Sequence, residues 1–263
     1  MHTEPAALFL FAHQDDEFGV FHRIEECVRQ GLRVHCAYFT DGATAAASAQ
    51  QRNAESLAVL RQLGVRAGDV RFAGQELGIA DARLPEHLVA AHAWLHGWLD
   101  QFSHIDSLHV TAWEGGHHDH DALHALAVTV AEERGLLPKL QQFALYNAHG
   151  CLHPFFNALS ALPANGPVQA HRIPLRARLR YLRLCASYPS QKTTWIGLLP
   201  FVALRYLVRG TQDLQPVSTH RLHEQPHAGS LYYERRAFYT WAQMQARLAE
   251  LTSNKNNPKA NHD

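Results

Sequence analysis

The sequence predicts an α/β fold in which a mostly parallel β-sheet lies between two layers of helices. Short apolar runs alternate with stretches of helical spacing as far as Ala148, which is typical of a parallel sheet with helices on both faces. Polar clusters follow three of these runs, at the sheet edge where such sheets bind ligands. The 263 residues are 46% hydrophobic and 18% charged, so there is enough apolar material for one buried core.

Each predicted element follows from a local pattern. Ala7–Ala12 is a continuous apolar run, as expected of a strand buried on both faces. Glu17–Gly31 has apolar residues at helical spacing and ends at a glycine. Ser48–Leu63 begins with a favourable N-cap, and Pro85–Phe102 with a proline suited to a first turn. The other predicted elements are strands Arg33–Thr40, Val70–Phe72, Ser107–Trp113 and Gln141–Ala148, and helix Asp119–Gly135.

The pattern loosens beyond His149, where prolines divide a loop-rich stretch. The elements predicted there are a basic helix Leu175–Ser187, a strand and loop Gly229–Tyr239, and a last helix Thr240–Leu251. We interpret the Arg-rich helix as a solvated face, with a phosphate contact as the alternative. Residues 1–251 are predicted to form a single domain, and the polar residues 252–263 a disordered tail.

The most apolar segment is Trp195–Val208, which contains Pro200 and Arg205. It is shorter than the roughly 20 residues that a membrane-spanning helix needs, so no integral membrane span is predicted. We interpret it as a core or subunit-contact helix, which leaves homo-oligomerisation open, and peripheral membrane contact is the alternative.

Charge and cysteine content limit the partners and the compartment. The 24 Lys and Arg balance the 24 Asp and Glu, so neither nucleic acid nor anionic lipid is an expected partner. The expected partner is a small-molecule substrate. The four cysteines show no CxxC spacing, which favours reduced thiols and a cytoplasmic location. The N-terminus lacks the basic region of a signal peptide, and no GxGxxG motif follows the first strand to indicate dinucleotide binding.

Two polar clusters carry the functional prediction, in a chain with 20 histidines. Residues 13–17 (HQDDE) follow the first strand and residues 115–120 (GGHHDH) the fourth. Taken alone, residues 13–17 are equally consistent with an acidic helix N-terminus. Residues 115–120, taken alone, are also consistent with a solvated His-rich loop. Together they offer two histidines and one aspartate for one metal ion with an open fourth position, the pattern of catalytic zinc.

Both clusters resemble motifs of the PIG-L/LmbE-like zinc-dependent N-acetylglucosaminyl deacetylase family. HQDDE resembles the AHPDDE signature, and HHDH at 117–120 is similar to the HPDH motif, with Gln14 and His118 in place of two prolines that would not bind metal. Supporting similarities across residues 5–245 are TDG at 40–42, RNAE at 52–55, LGV at 63–65, DARL at 81–84, YPSQ at 188–191 and YERR at 233–236. The resemblance implies a Rossmann-like three-layer sandwich, the LmbE-like deacetylase fold.

The resemblance also implies a reaction and its residues. One Zn²⁺ per chain would be held by His13, Asp16 and His120. Asp15 would be the general base, and His117 would polarise the carbonyl and donate a proton. The expected function is removal of the N-acetyl group from an N-acetylglucosamine-type amino sugar or sugar conjugate, by attack of a metal-bound water on the amide.

Arg52 and Asp81 are the implied contacts to substrate hydroxyls or a phosphate, and Asp119 would either support the site or cap the helix that it begins. Two alternative functions remain at this point. A metal-dependent phosphohydrolase commonly uses two bridged metals, whereas only one set of three ligands assembles easily here. A non-catalytic sugar-binding relative would need neither an acid nor a base.

Overall fold

A computed structural model describes residues 2–255 and contains two sheets and nine α-helices within that range. The strands are β1 (Ala6–Phe11), β2 (Arg33–Tyr38), β3 (Val70–Arg71), β4 (Ile105–Thr111), β5 (Leu140–Phe143), β6 (Tyr146–Asn147), β7 (Asn157–Ala158), β8 (Gln169–Arg172) and β9 (Thr211–Pro216). The helices are α1 (Phe21–Arg29), α2 (Ala49–Gln62), α3 (Ala73–Leu77), α4 (Leu88–Leu99), α5 (His118–Glu133), α6 (Leu175–Cys185), α7 (Lys192–Val208), α8 (Tyr232–Arg235) and α9 (Trp241–Lys255).

The main sheet has seven strands in the order β3-β2-β1-β4-β5-β9-β8. The first five of these are parallel, and β9 and β8 join antiparallel at one edge. β1 is fully buried, and its side chains alternate between two cores. Leu8 and Leu10 pack towards α4, α5 and α9, while Phe9 and Phe11 pack towards α1, α2, α6 and α7. The predicted α/β fold with a mostly parallel sheet between helical layers is therefore confirmed.

The predicted strand Gln141–Ala148 divides into two elements, because its middle leaves the main sheet. The backbone N–H groups of Leu145 and Tyr146 donate to one carboxylate oxygen of Glu114, at 2.6 and 3.0 Å. Those donors are thus withdrawn from the ladder, and β6 pairs with β7 in a separate two-stranded sheet. β8 and β9 went unpredicted because they are short and largely polar, with no apolar alternation to mark them.

The helix boundaries differ from the predicted ones at four places. The helix predicted from Glu17 begins as a 3₁₀ turn, and α1 starts only at Phe21. A second 3₁₀ turn precedes α4. Gly229–Tyr239 contains the short helix α8 and no strand. α9 extends to Lys255, so the first four residues of the predicted tail are helical, and residues 256–263 lie outside the described residues.

The apolar segment 195–208 is part of α7, which packs one face into the core through Trp195, Leu198, Val202 and Tyr206. Along the described chain, no helix combines the length and the apolar character needed to cross a bilayer. All four cysteines are free thiols.

Candidate active site

The two predicted motifs lie beside each other because β1 and β4 are parallel neighbours in the sheet. Residues 13–17 leave the carboxyl end of β1, and residues 115–120 leave the carboxyl end of β4. The chain order around β1 reverses here, since β2 lies on its other side, and open α/β sheets bind ligands at such points. Thr111 at the end of β4 donates its hydroxyl to the carbonyl of His120 at 3.1 Å, which fixes the start of α5.

Three predicted metal ligands converge at this edge. His13 Nδ1 lies 3.2 Å from His120 Nε2, and His120 Nε2 lies 3.0 Å from Asp16 Oδ1. His13 Nδ1 is 3.7 Å from Asp16 Oδ2. All three side chains are buried. The structure therefore brings together two imidazole nitrogens and one carboxylate from positions that are 107 residues apart in sequence.

The turn after β1 holds Asp16 in place. Asp16 Oδ2 accepts the backbone N–H groups of Ala12 and His13, at 3.0 and 2.8 Å. Asp15, at the tip of the turn, has a φ of 104°, a region that non-glycine residues rarely adopt. Its N–H donates to a carboxylate oxygen of Glu17 at 3.0 Å, so Glu17 stabilises the strained tip.

Asp119 orients His13. Its Oδ2 lies 2.9 Å from His13 Nε2, which assigns a proton to that nitrogen and leaves Nδ1 facing Asp16 and His120. Asp119 also accepts the backbone N–H groups of Ala82 and Leu84, at 2.7 and 3.0 Å. A carboxylate behind a ligating histidine fixes the tautomer and ring orientation of that histidine. Of the two predicted roles for Asp119, the structure favours support, because the N-cap of α5 is His117.

The donor set fits a divalent cation. Three carboxylates, those of Asp16, Asp81 and Asp119, lie within 3.7 Å of the ring nitrogens of His13. Burial alone would lower the pKa of His13, but Asp81, Asp119 and Asp16 raise it well above its usual value. Without a metal ion, charge balance thus favours a proton on His13 at the place where a cation would bind. Two nitrogens and one oxygen in a buried anionic cleft suit zinc and other borderline divalent ions.

Asp15 lies against Arg52, whose Nη2 is 3.5 Å from Asp15 Oδ1. Burial raises the pKa of Asp15 to about 8, although Arg52 opposes the shift. A carboxyl group that titrates near neutrality is well suited to take up and release a proton. Asp15 lines the same cavity as the convergent ligands.

His117 lies edge-on to His13, with ring centroids 4.6 Å apart. Its Nδ1 accepts the backbone N–H of Asp119 at 3.2 Å, so the proton of the neutral ring is on Nε2. Burial and the neighbouring His13 lower the pKa of His117 well below its usual value. The structure therefore favours a neutral His117 whose Nε2–H can donate a hydrogen bond. The predicted role in donating a proton would instead need a protonated ring.

The predicted substrate contacts Arg52 and Asp81 bond to each other, with Arg52 Nη1 3.2 Å from Asp81 Oδ2. Arg52 is 3% exposed, and it donates to the carbonyl oxygens of Gly42 and Gln14 at 2.7 and 2.6 Å. Its donors are thus directed mainly at protein acceptors. Asp81 is more open, and its Oδ1 lies 3.3 Å from His13 Nε2.

Gln14 and His118, which replace the two motif prolines, are both held by hydrogen bonds. Gln14 Nε2 donates to Asn53 Oδ1 at 2.6 Å, and this contact ties the turn to α2. Gly42, beside this side chain, has a φ of 65°, a left-handed conformation that favours glycine. His118 Nε2 lies 2.9 Å from the Ala82 carbonyl and its ring stacks on Tyr239, so His118 faces away from the convergent ligands.

A cavity of about 460 Å³ opens over these groups. One wall consists of the charged side chains described above. The opposite wall is aromatic and apolar. No sequence motif predicts it, because its residues come from four separate segments beyond β5: Tyr146, Phe156, Leu198, Tyr232 and Phe238. Gly116 forms part of the rim, where a Cβ would come within 2.1 Å of the Tyr146 carbonyl oxygen.

Comparison with known proteins agrees with this geometry. Residues 8–131 match the model of the PIG-L family, described as GlcNAc-PI de-N-acetylase. No curated protein sequence matches the chain significantly.

Solved structures share the fold. A deacetylase of the teicoplanin biosynthesis pathway superposes with a TM-score of 0.62 at 17% identity, over 81% of this chain and 98% of that one. A zinc-inhibited form of teicoplanin deacetylase superposes with a TM-score of 0.60 at 16% identity, over 81% and 98%. N,N'-diacetylchitobiose deacetylase from Pyrococcus horikoshii reaches 0.50 at 17% identity, over 86% and 88%. At these identities the likeness concerns the fold.

Proposed function

Because residues 8–131 match the model of the PIG-L family, we propose that this chain is a zinc-dependent N-deacetylase of an N-acetylglucosamine-type amino sugar or sugar conjugate. The observation that carries the proposal is the convergence of His13, Asp16 and His120 beside Asp15 in one cavity. The deacetylases among the structural relatives support the same reaction class.

His13 Nδ1, His120 Nε2 and Asp16 would hold the zinc ion, one per chain. When bound, the ion would supply a Lewis acid that activates water and polarises the amide carbonyl. The contact of Asp119 with His13 Nε2 would hold the proton of the neutral ring on that nitrogen and leave Nδ1 free to bind the ion.

Asp15 is the proposed general base. Its carboxylate would take a proton from the attacking water and pass it to the nitrogen of the leaving amine. Arg52 holds this carboxylate towards the cavity and also bonds to Asp81. We therefore assign Arg52 to positioning, and Asp81 to contact with a sugar hydroxyl.

His117 is proposed to donate a hydrogen bond from Nε2 to the carbonyl oxygen as negative charge develops there. A neutral imidazole is sufficient for this role, and its N–H is fixed by the hydrogen bond at Nδ1. Such a donor is typically worth about 3–4 kcal/mol of barrier. The proton delivered to the amine is then the one that Asp15 has taken from water.

The test is acetate release from N-acetylated amino sugars and their nucleotide conjugates, with chelated protein and protein restored with zinc measured side by side. One equivalent of zinc is the appropriate dose, because a structural relative is known in a zinc-inhibited form. We expect acetate only from the restored protein. Phosphate release in place of acetate would favour the phosphohydrolase, and sugar binding without turnover would favour a non-catalytic relative.

A cytoplasmic location is also proposed, supported by four free cysteines of which three are buried. Fractionation of the producing cell checks it, and recovery from an oxidising compartment would contradict it.

A further inference from the structure

The balanced charge of the whole chain hides a strong asymmetry. Residues 134–212 contain ten Lys and Arg and no Asp or Glu, so the remaining residues carry 14 Lys and Arg against 24 Asp and Glu. A large bias of this kind points to an electrostatic partner of opposite sign. α6 and α7 both lie in this acid-free stretch.

The two helices lie on the same side of the molecule. α6 buries Tyr181 and Leu184, α7 buries Val202 and Tyr206, and all four side chains belong to one core cluster. The outer faces of both helices therefore point away from the same face of the sheet.

The outer face of α7 is apolar. Ile196 is 68% exposed, Leu204 62%, Leu207 52% and Val208 72%. These residues recur at helical spacing, so they form one stripe along the helix. Leu175 and Leu179 add exposed aliphatic side chains on α6. Exposed aliphatic side chains grouped on neighbouring helices are typical of an interaction site.

Cations lie on α6 and α7 or within three residues of these helices in the chain. Arg180 and Arg205 are paired with Glu25 and Asp213. Six others have no ion-pair partner among the side chains that the structure describes: Arg172, Arg176, Arg178, Arg183, Lys192 and Arg209. The surface thus combines aliphatic side chains with uncompensated positive charge.

We propose that the outer faces of α6 and α7 form a docking surface for an anionic phospholipid bilayer. Aliphatic side chains enter the acyl boundary while arginine and lysine contact lipid phosphates, as in helices that lie in a membrane interface. A second copy of the chain would present the same positive charge and be repelled. A nucleic acid would match the charge but leave the aliphatic stripe in water.

Docking in this way has a consequence for the catalytic cavity. The first half of α7 supplies Thr194, Gly197 and Leu198 to the cavity lining, while Ile196 faces outward. A bilayer in contact with α7 would therefore lie beside the cavity mouth. The proposal stands independently of the deacetylase reaction, since it concerns binding only.

The test is co-sedimentation of the full chain with vesicles of phosphatidylcholine, with and without phosphatidylglycerol. We expect binding to the anionic vesicles, weakened at high salt. Arg176→Glu with Arg183→Glu should reduce it by about tenfold or more. Ile196→Ser with Leu204→Ser should reduce it similarly and leave folding intact, because both side chains are exposed.

Matched controls lie elsewhere on the surface. Arg61→Glu with Arg66→Glu makes the same change in net charge at two exposed positions, one on α2 and one just after it. Val89→Ser removes an exposed aliphatic side chain from α4. Both should bind vesicles as the parent does. Absence of anionic-vesicle binding, or equal losses in the control variants, would overturn the proposal. Binding of an RNA oligonucleotide but not vesicles would overturn it as well, as would a stable dimer that Ile196→Ser with Leu204→Ser dissociates.

Discussion

The two walls of the catalytic cavity are built on different principles. The wall from residues 8–131 is dense in carboxylates and imidazoles, and most of them are fixed by hydrogen bonds to backbone or to a neighbour, as Asp16 is to Ala12 and His13. The opposite wall, formed by Tyr146, Phe156, Leu198, Tyr232 and Phe238, is aromatic and apolar and relies on packing. From this difference we expect the first wall to determine the reaction and the second to determine which substrate reaches it.

The largest expected effect is the loss of a proposed metal ligand from the first wall. We expect His120→Ala to lose bound zinc and to reduce turnover by about 10³-fold or more, since the ion supplies the Lewis acid. Metal content of the purified protein and acetate release are the measurements. The same substitution at His118, which faces Ala82 and Tyr239, should keep the zinc. Full zinc occupancy in His120→Ala would remove this residue from the ligand set.

Asp15→Asn separates proton transfer from metal binding. The amide cannot accept the proton, so turnover should fall by about 10²- to 10⁴-fold, while zinc content stays at the parent value. Single-turnover acetate release together with metal analysis checks both halves. If turnover is unchanged, another group is the general base.

Asp119→Asn tests the support behind His13. We expect zinc affinity to fall by about 10- to 100-fold, because the carboxylate that sets the His13 tautomer is lost. Competition with a chelator of known affinity measures the change. Asp121→Asn is the matched control, since Asp121 lies on the same helix and accepts the backbone N–H groups of Glu114 and Gly115. Equal effects in both variants would indicate a general disturbance of α5.

Phe156→Ala tests the second wall. Phe156 lines the cavity and contacts Phe201 and Tyr232, with ring centroids 4.5 and 5.4 Å apart. We expect KM to rise by about three- to tenfold, with zinc content and kcat close to the parent values. A large fall in kcat with unchanged KM would show that this wall takes part in the chemistry.

The smallest expected effect concerns stability in acid, outside both walls. His109 on β4 is fully buried against Phe9, and burial lowers its pKa well below the usual value. The unfolded chain therefore binds the proton more readily. The contribution of neutral His109 to stability is therefore fully present above about pH 6.5. Below that pH, the free energy of unfolding falls by up to about 1.4 kcal/mol per pH unit.

His109→Leu should remove this contribution. Urea unfolding at pH 8 and at pH 5.5 measures it, with His104→Leu at an exposed position as the control. An unchanged difference between the two pH values would contradict the assignment to His109.

The sequence was most informative where function depends on local geometry. HQDDE and HHDH follow apolar strands directly, so sheet topology alone brings His13 and His120 together. Asp119 was ambiguous because its partners, His13 and the backbone at 82–84, are distant in sequence. The aromatic wall and β8 and β9 were not predicted, since Phe156, Leu198 and Tyr232 carry no motif and acquire a common role only through tertiary packing.

Asp119 contacts both His13, a proposed metal ligand, and the loop that carries Asp81, a proposed substrate contact. One oxygen of its carboxylate faces His13 and Ala82, and the other accepts the N–H of Leu84, so the proposed metal ligand His13 and the loop that carries Asp81 are held by the same side chain. Ala82 has a φ of 65°, a conformation that this anchor helps to hold. Thermodynamic linkage requires that if ordering of the loop by substrate tightens metal binding, the metal tightens substrate binding by the same factor. In that case metal retention would depend on the bound substrate as much as on the ligands themselves.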